Sequence, residues 1–267
     1  MNATAIVPNQ TDRFHVALPR LRLPVVRGVI DRRILVNFRC DPAVLARLLP
    51  IPFRPKLVRG CGMAGICLIR LRDIRPALVP ALLGAASENA AHRIAVEWDE
   101  DGEVRQGVFI PRRDTSSVLN RLAGGRLFPG VHHAAEFRVW ETGSRFKLEM
   151  RSADGTAFVR VLARVADELP PDSVFRTIDE ASAFFQSGAL GWSACPRSGE
   201  FDGLELRCAE WRMEPLVVEH VESSFFANHE LFPAGSAEFD SAFLVRGLAH
   251  EWRARGKMVT ALKREPS

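Results

Sequence analysis

The sequence predicts an α+β fold made mostly of antiparallel strands, and three observations carry that reading. Short strand-like stretches bounded by turn residues recur along the chain, about nine in all. Only about four segments repeat their apolar residues at helical spacing. No linker, internal repeat or low-complexity tract interrupts them, so residues 1–267 read as one domain.

About residues 1–25 form an N-terminal arm that carries Pro8, Pro19 and Pro24 and no clean period. Ile34 to Phe38 is strand-like. Asp41-Pro42 then caps a short helix whose Val44, Leu45, Leu48 and Leu49 share one face, and Pro50, Pro52 and Pro55 end it. Strands follow at Ile66 to Leu71 and Ala90 to Trp98, and a turn at Asp101-Gly102 leads into another through Val108 to Ile110. Pro111 breaks that strand, and Asp114 reads as the cap of a second helix with Val118, Leu119 and Leu122, stopped at Gly124-Gly125.

Ala134 to Trp140, Arg145 to Met150 and Thr156 to Val165 form a meander through turns at Thr142-Gly143 and Asp154-Gly155. Thr177 with Glu180 is a capping box opening a third helix with Ala181, Phe184 and Phe185, closed by Gly188. Two strands, Leu204 to Met213 and Leu216 to Ser224, precede a break at Pro233 to Gly235. Phe239 to Arg255 fits helix or strand, and helix is the favoured reading.

Composition removes several function classes. Hydrophobic residues make up 47% and charged residues 25%, as in an ordinary globular core and surface. No apolar run approaches the ~18 residues of a membrane span, and Asp12 and Arg13 interrupt any leader-like stretch, so a cytoplasmic protein without a membrane partner is expected. The five cysteines are scattered and include no CxxC pair, which fits reduced thiols. No metal or cofactor is expected, because His132 and His133 point to opposite faces of a strand and the other histidines are isolated. The net charge of +4 comes from arginines spaced singly beside acidic residues, with no tyrosine in the chain. A nucleic-acid partner is therefore not expected.

Four motifs take their meaning from local context. Gly60-Cys61-Gly62-Met63-Ala64-Gly65 spells GxGxxG but precedes a strand, where a dinucleotide site needs a helix N-terminus. Gly191-Trp192-Ser193-Ala194-Cys195 lacks the final glycine of a nucleophile elbow. Arg112-Arg113-Asp114 stands between a strand end and the expected helix start, where guanidinium forks and helix N–H groups favour an anion. Ion pairing of both arginines with Asp114 and surface carboxylates is the competing reading. Ser87-Glu88-Asn89 sits at the head of a strand, where a glutamate is ordinarily solvated.

Phe38-Arg39-Cys40-Asp41-Pro42, Leu45, Leu48-Leu49-Pro50 and Pro52-Phe53 resemble the opening motif of the acetoacetate decarboxylases. Glu88 falls where that family carries a pocket glutamate, and Pro111-Arg112-Arg113 falls where it carries Pro-Lys-Lys. Val221-Glu222-Ser223-Ser224-Phe225-Phe226, Phe232-Pro233-Ala234-Gly235-Ser236, Phe239-Asp240-Ser241-Ala242 and His250-Glu251-Trp252 resemble an uncharacterised bacterial branch of the same superfamily. The resemblance implies a β-barrel-like fold with a central funnel, often oligomeric. In the decarboxylases the first lysine forms an imine with the substrate ketone and the second lowers its pKa, a device for which that enzyme is a standing example. Arginine does not form that imine. A second pocket glutamate, expected near Gly65 to Cys67, has no counterpart, and the family's pocket arginine falls at Arg32 or Arg33.

The expectation is therefore a pocket for a small anionic or carbonyl ligand, with Arg112 and Arg113 binding the substrate and Glu88 as the catalytic group handling a proton. The implied chemistry is of lyase, hydratase or cyclase type through an enolate. The alternative is a non-catalytic ligand-binding or sensor protein on the same scaffold. None of Lys56, Lys147, Lys257 and Lys263 is placed by its sequence context as a buried amine.

Overall fold

A computed structural model describes residues 15–17, 25–77, 79–80, 84–123, 130–195 and 199–259. In chain order the elements are β1 (His15–Ala17), β2 (Val26–Cys40), α1 (Pro42–Leu48), β3 (Arg54–Pro55), β4 (Leu57–Val58), β5 (Cys61–Pro76), β6 (Ala85–Glu100) and β7 (Glu103–Thr115). They continue with α2 (Val118–Ala123), β8 (His132–Glu141), β9 (Arg145–Ser152), β10 (Phe158–Val165), α3 (Ile178–Gln186), β11 (Leu190–Ala194), β12 (Glu200–Cys208), β13 (Glu214–Ser223) and β14 (Ala237–Val259). Most of the expected arm and the Gly124-Gly125 helix stop lie outside the described residues.

All the strands belong to one sheet that closes on itself twice. One ring runs β7–β6–β5–β2–β14–β12–β11 and returns to β7 through a parallel pairing. The other runs β7–β8–β9–β10–β13–β14–β2–β5–β6. The strands β14, β2, β5, β6 and β7 are common to both. Because side chains alternate along a strand, successive residues of these shared strands pack into two different cores. Ile34, Val36, Ile66, Leu68 and Ile94 join Leu148, Met150, Val159 and Val161 in one. Ile30, Leu35, Cys67, Ala91, Ile110 and Phe243 join Phe185 in the other.

Local signals explain the caps and turns. Asp41 accepts from the Ala43 N–H at 2.7 Å, and Thr177 Oγ1 accepts from the Glu180 N–H at 3.1 Å. Glu180 reaches back to the Arg176 N–H at 2.9 Å. Asp101 and Gly102 take φ of 53° and 80°, as a tight hairpin between β6 and β7 requires. Gly65 is needed for close approach: a Cβ there would lie 2.4 Å from the Val36 carbonyl oxygen of the paired strand.

Three expectations are overturned. Phe239 to Arg255 is strand, within β14, and its Asp240–Val245 stretch is buried on both faces because it borders both cores. Burial on both faces erases alternation, the one signal that separates a strand from a helix. Asp114 is not a helix cap either. Thr115 ends β7, and α2 starts only at Val118 and is six residues long. Pro111 does not end β7: His92 pairs with Arg112 and Ile94 with Phe109, so one residue of β6, Arg93, faces two of β7, Ile110 and Pro111. Pro111 lies in this bulge, and the strand resumes beyond it.

Candidate functional site

A cavity of about 480 Å³ opens within the seven-strand ring, and every strand of that ring contributes to its wall. The wall is apolar over most of its area, through Ile30, Ile69, Val108, Ile110, Leu204 and Leu206, with Trp211 and Trp252 and the Phe185 ring of α3. Into it come three arginines that pair with no carboxylate among the described residues, Arg33 of β2, Arg93 of β6 and Arg113 of β7, beside a fourth, Arg207 of β12, which is exposed and ion-paired with Glu205. Cys67 of β5 joins them.

The three arginines are held by neutral or soft partners. Arg93 donates from Nε to Cys67 Sγ at 3.0 Å and from Nη2 to Asn37 Oδ1, and its guanidinium carbon lies 4.9 Å from the centre of the Phe185 ring. Arg33 donates from Nη2 to Cys67 Sγ at 3.5 Å and lies 5.5 Å over Trp211. Arg113 donates from Nε to Ser193 Oγ at 3.1 Å. Among the described residues no carboxylate forms an ion pair with any of the three, and the buried Nε of Arg33 has no hydrogen-bond partner. Burial pushes Arg113 down to about 10 and holds Arg93 below its ordinary value. Burial pushes the Cys67 thiol up, but the charges and hydrogen bonds of Arg93 and Arg33 outweigh it and hold the thiol below its usual range.

The bulge at Pro111 decides which arginine of the pair enters. Ile110 and Arg113 face the cavity, whereas Arg112 faces the other way. Arg112 is neutralised there, with Nη2 2.9 Å from Asp114 and 3.2 Å from Asp154, and Nη1 donating to Thr156 Oγ1 at 2.7 Å. Glu88 stands two residues before Ala90 on β6 and so shares its face, opposite Ala91 and Arg93. Its carboxylate meets Arg32 Nη2 at 2.6 Å and Arg70 Nε at 2.7 Å. Glu141 bridges the same two arginines, closing a ring of four charges. Glu88 and Arg113 therefore do not converge on one cavity, and of Arg32 and Arg33 it is Arg33 that lines it.

Arg93 and Cys67 were not singled out from the sequence. The signal was present in part, since both fall on the phase set by Met63 and Ala91, but long buried runs in β5 and β6 hide that phase. Among the described residues no lysine lines the cavity. Lys56 is half-buried beside it, with Nζ 2.6 Å from Ser187 Oγ and over the Phe184 ring, and burial lowers its pKa. A smaller space of about 80 Å³ adjoins on the far side of Arg113, bordered by Asn89, Asp114 and His132. No cluster of three or more metal-ligating side chains occurs among the described residues.

Acetoacetate decarboxylase from Legionella pneumophila superposes with a TM-score of 0.57 at 10% identity, over 96% of this chain and 93% of that one. The chain has the acetoacetate decarboxylase-like fold. An acetoacetate decarboxylase-like enzyme from Sphingomonas wittichii RW1 superposes at 0.51 with 15% identity, over 98% and 100% of the two chains. The enduracididine biosynthesis enzyme MppR, solved with HEPES bound, superposes at 0.58 with 11% identity, over 97% and 99%. No protein-family model matches the chain. No curated protein matches it either.

Proposed function

We propose that this acetoacetate decarboxylase-like chain takes a small keto acid, or a similar carboxylate with an enolizable carbonyl, into the arginine-lined cavity. The supporting observation is the convergence of Arg33, Arg93 and Arg113 on one apolar space, with no carboxylate ion-paired to them among the described residues. Buried guanidinium groups are costly without a counter-charge, and an anionic headgroup supplies one while the apolar wall takes the rest of the molecule. Structures of MppR with pyruvate, and with the condensation product of pyruvate and imidazole 4-carboxaldehyde, favour a keto acid among the candidate anions. The chemistry that fits is of lyase type through an enolate held by the guanidinium groups, without an imine, since no lysine among the described residues lines the cavity.

Thermal-shift titration of wild type and Arg113→Ala with pyruvate and with the keto acid of leucine tests this reading. A stabilising shift in wild type that Arg113→Ala loses supports it. An equal response from both proteins, or none from wild type, ends it. Borohydride treatment with the same ligands is expected to leave no covalent adduct. A second reading, ligand binding without turnover, is favoured by the locking of Glu88 between Arg32 and Arg70.

A further inference from the structure

Resting on that reading and going beyond it, we infer that the Cys67 thiolate is the proton acceptor of this cavity. It takes a proton from the carbon next to the carbonyl of a bound keto acid. The step balances without a co-reactant. The C–H bond breaks, its electron pair becomes that of the enolate, and the proton forms the S–H bond of Cys67. The carboxylate and the enolate oxygen rest against the guanidinium groups, and the reverse step returns the proton to carbon.

Three observations carry this. First, the cavity wall contains no carboxylate, imidazole, amine or phenol among the described residues, so proton transfer at its surface falls to the two thiols Cys67 and Cys208. Second, geometry separates these two. Cys67 accepts from Arg93 Nε at 3.0 Å and from Arg33 Nη2 at 3.5 Å, so its anion is held by two cations. Burial instead pushes the Cys208 thiol up. Third, the buried Nε of Arg33 has no partner, and the arginines that hold the thiolate are the groups placed to hold an anionic ligand beside it. The adjoining space offers no rival. Asp114 is gripped there by Arg112, and burial pushes His132 down to about 4, too weak a base for a carbon acid.

The experiment is proton exchange at the carbon next to the carbonyl, followed by NMR in heavy water. Wild type, Cys67→Ser and Cys67→Ala are each incubated with pyruvate and with the keto acid of leucine. Thermal shift with the same keto acids, run in parallel, reads binding and folding. Cys67→Ser keeps an acceptor for Arg93 but lacks an acid of useful strength. The expected result is enzyme-dependent deuterium uptake in wild type that falls by about 100-fold or more in both variants, with the ligand-induced shift retained. Uptake that persists in the variants overturns the thiol role and leaves the pocket reading standing, as does a wild type that binds the keto acid without accelerating exchange. A wild type that shows no ligand shift removes the pocket reading and the thiol role together.

Discussion

Arg32 clamps Glu88. Its Nη2 lies 2.6 Å from Glu88 Oε2 while its Nη1 lies 2.7 Å from Glu141 Oε2, and only 3% of the Arg32 side chain is exposed. A buried guanidinium that loses a carboxylate partner keeps its desolvation cost, so the pair matters more to folding than its position near a cavity suggests.

Glu88→Gln should lower stability by on the order of 2–3 kcal/mol in urea titration, with the keto-acid response unchanged. That lies below the range for removing one partner of a wholly buried pair, because Glu141 still holds Arg32 and Glu88 is partly exposed. Unchanged stability with lost ligand response would return Glu88 to the ligand site.

Arg112→Ala and Arg113→Ala should part company. Removing Arg112 leaves Asp114, whose side chain is fully buried, without its cation, so the melting temperature drops while the ligand shift survives. Removing Arg113 takes a cation from the cavity, so the ligand shift goes. The opposite pattern in calorimetry would place the bulge of β7 wrongly.

Thiol alkylation should sort the cysteines by pH. The Cys67 thiol is held below its ordinary range by Arg93 and Arg33 in spite of burial, whereas burial pushes Cys40 and Cys195 up to about 12. Iodoacetate, an anion matched to the cavity, should therefore modify Cys67 at neutral pH, with Cys40 and Cys195 left intact in peptide mass spectra. Preferential labelling of Cys195 at neutral pH would contradict this electrostatic picture.

Stability should fall on mild acidification. Burial, helped by the charge of Arg112, pushes His92 down to about 4, and burial does the same for His250. The unfolded chain protonates these rings near 6.5, so it binds more protons than the folded chain below that pH. The contribution is fully present above the ordinary histidine range and is lost as pH falls from about 6.5 towards about 4. For His92 it amounts to on the order of 3 kcal/mol. Urea midpoints at pH 7 and pH 5 should differ in wild type and differ less in His92→Leu, where His250 and His132 still carry the remainder.

Much of the fold was legible because its signals are local. The caps at Asp41 and Thr177 and the turns at Asp101-Gly102, Thr142-Gly143 and Asp154-Gly155 act within a few residues and stand as read. What failed to show is set by the shared strands. Ala90–Val96 is buried throughout, so its sequence carries no polar face from which to tell the cavity side from the other core. The arginine pair shows the same difficulty at single-residue scale. Strand alternation puts one of Arg112 and Arg113 inward, but the extra residue at Pro111 resets the phase, and only the register with β6 reveals which. Arg93 looked like one of many scattered arginines because its partners, Asn37 and Cys67, are 56 and 26 residues away.

The partition between the two cores gives the molecule a division of labour. Along the middle of β6, Ala90, His92 and Ile94 serve as chassis for one half, and Ala91 and Arg93 furnish the chamber of the other. Neighbouring positions thus meet separate physical demands. Chemistry can be rewritten on one set of residues while the other goes on holding the same backbone in place.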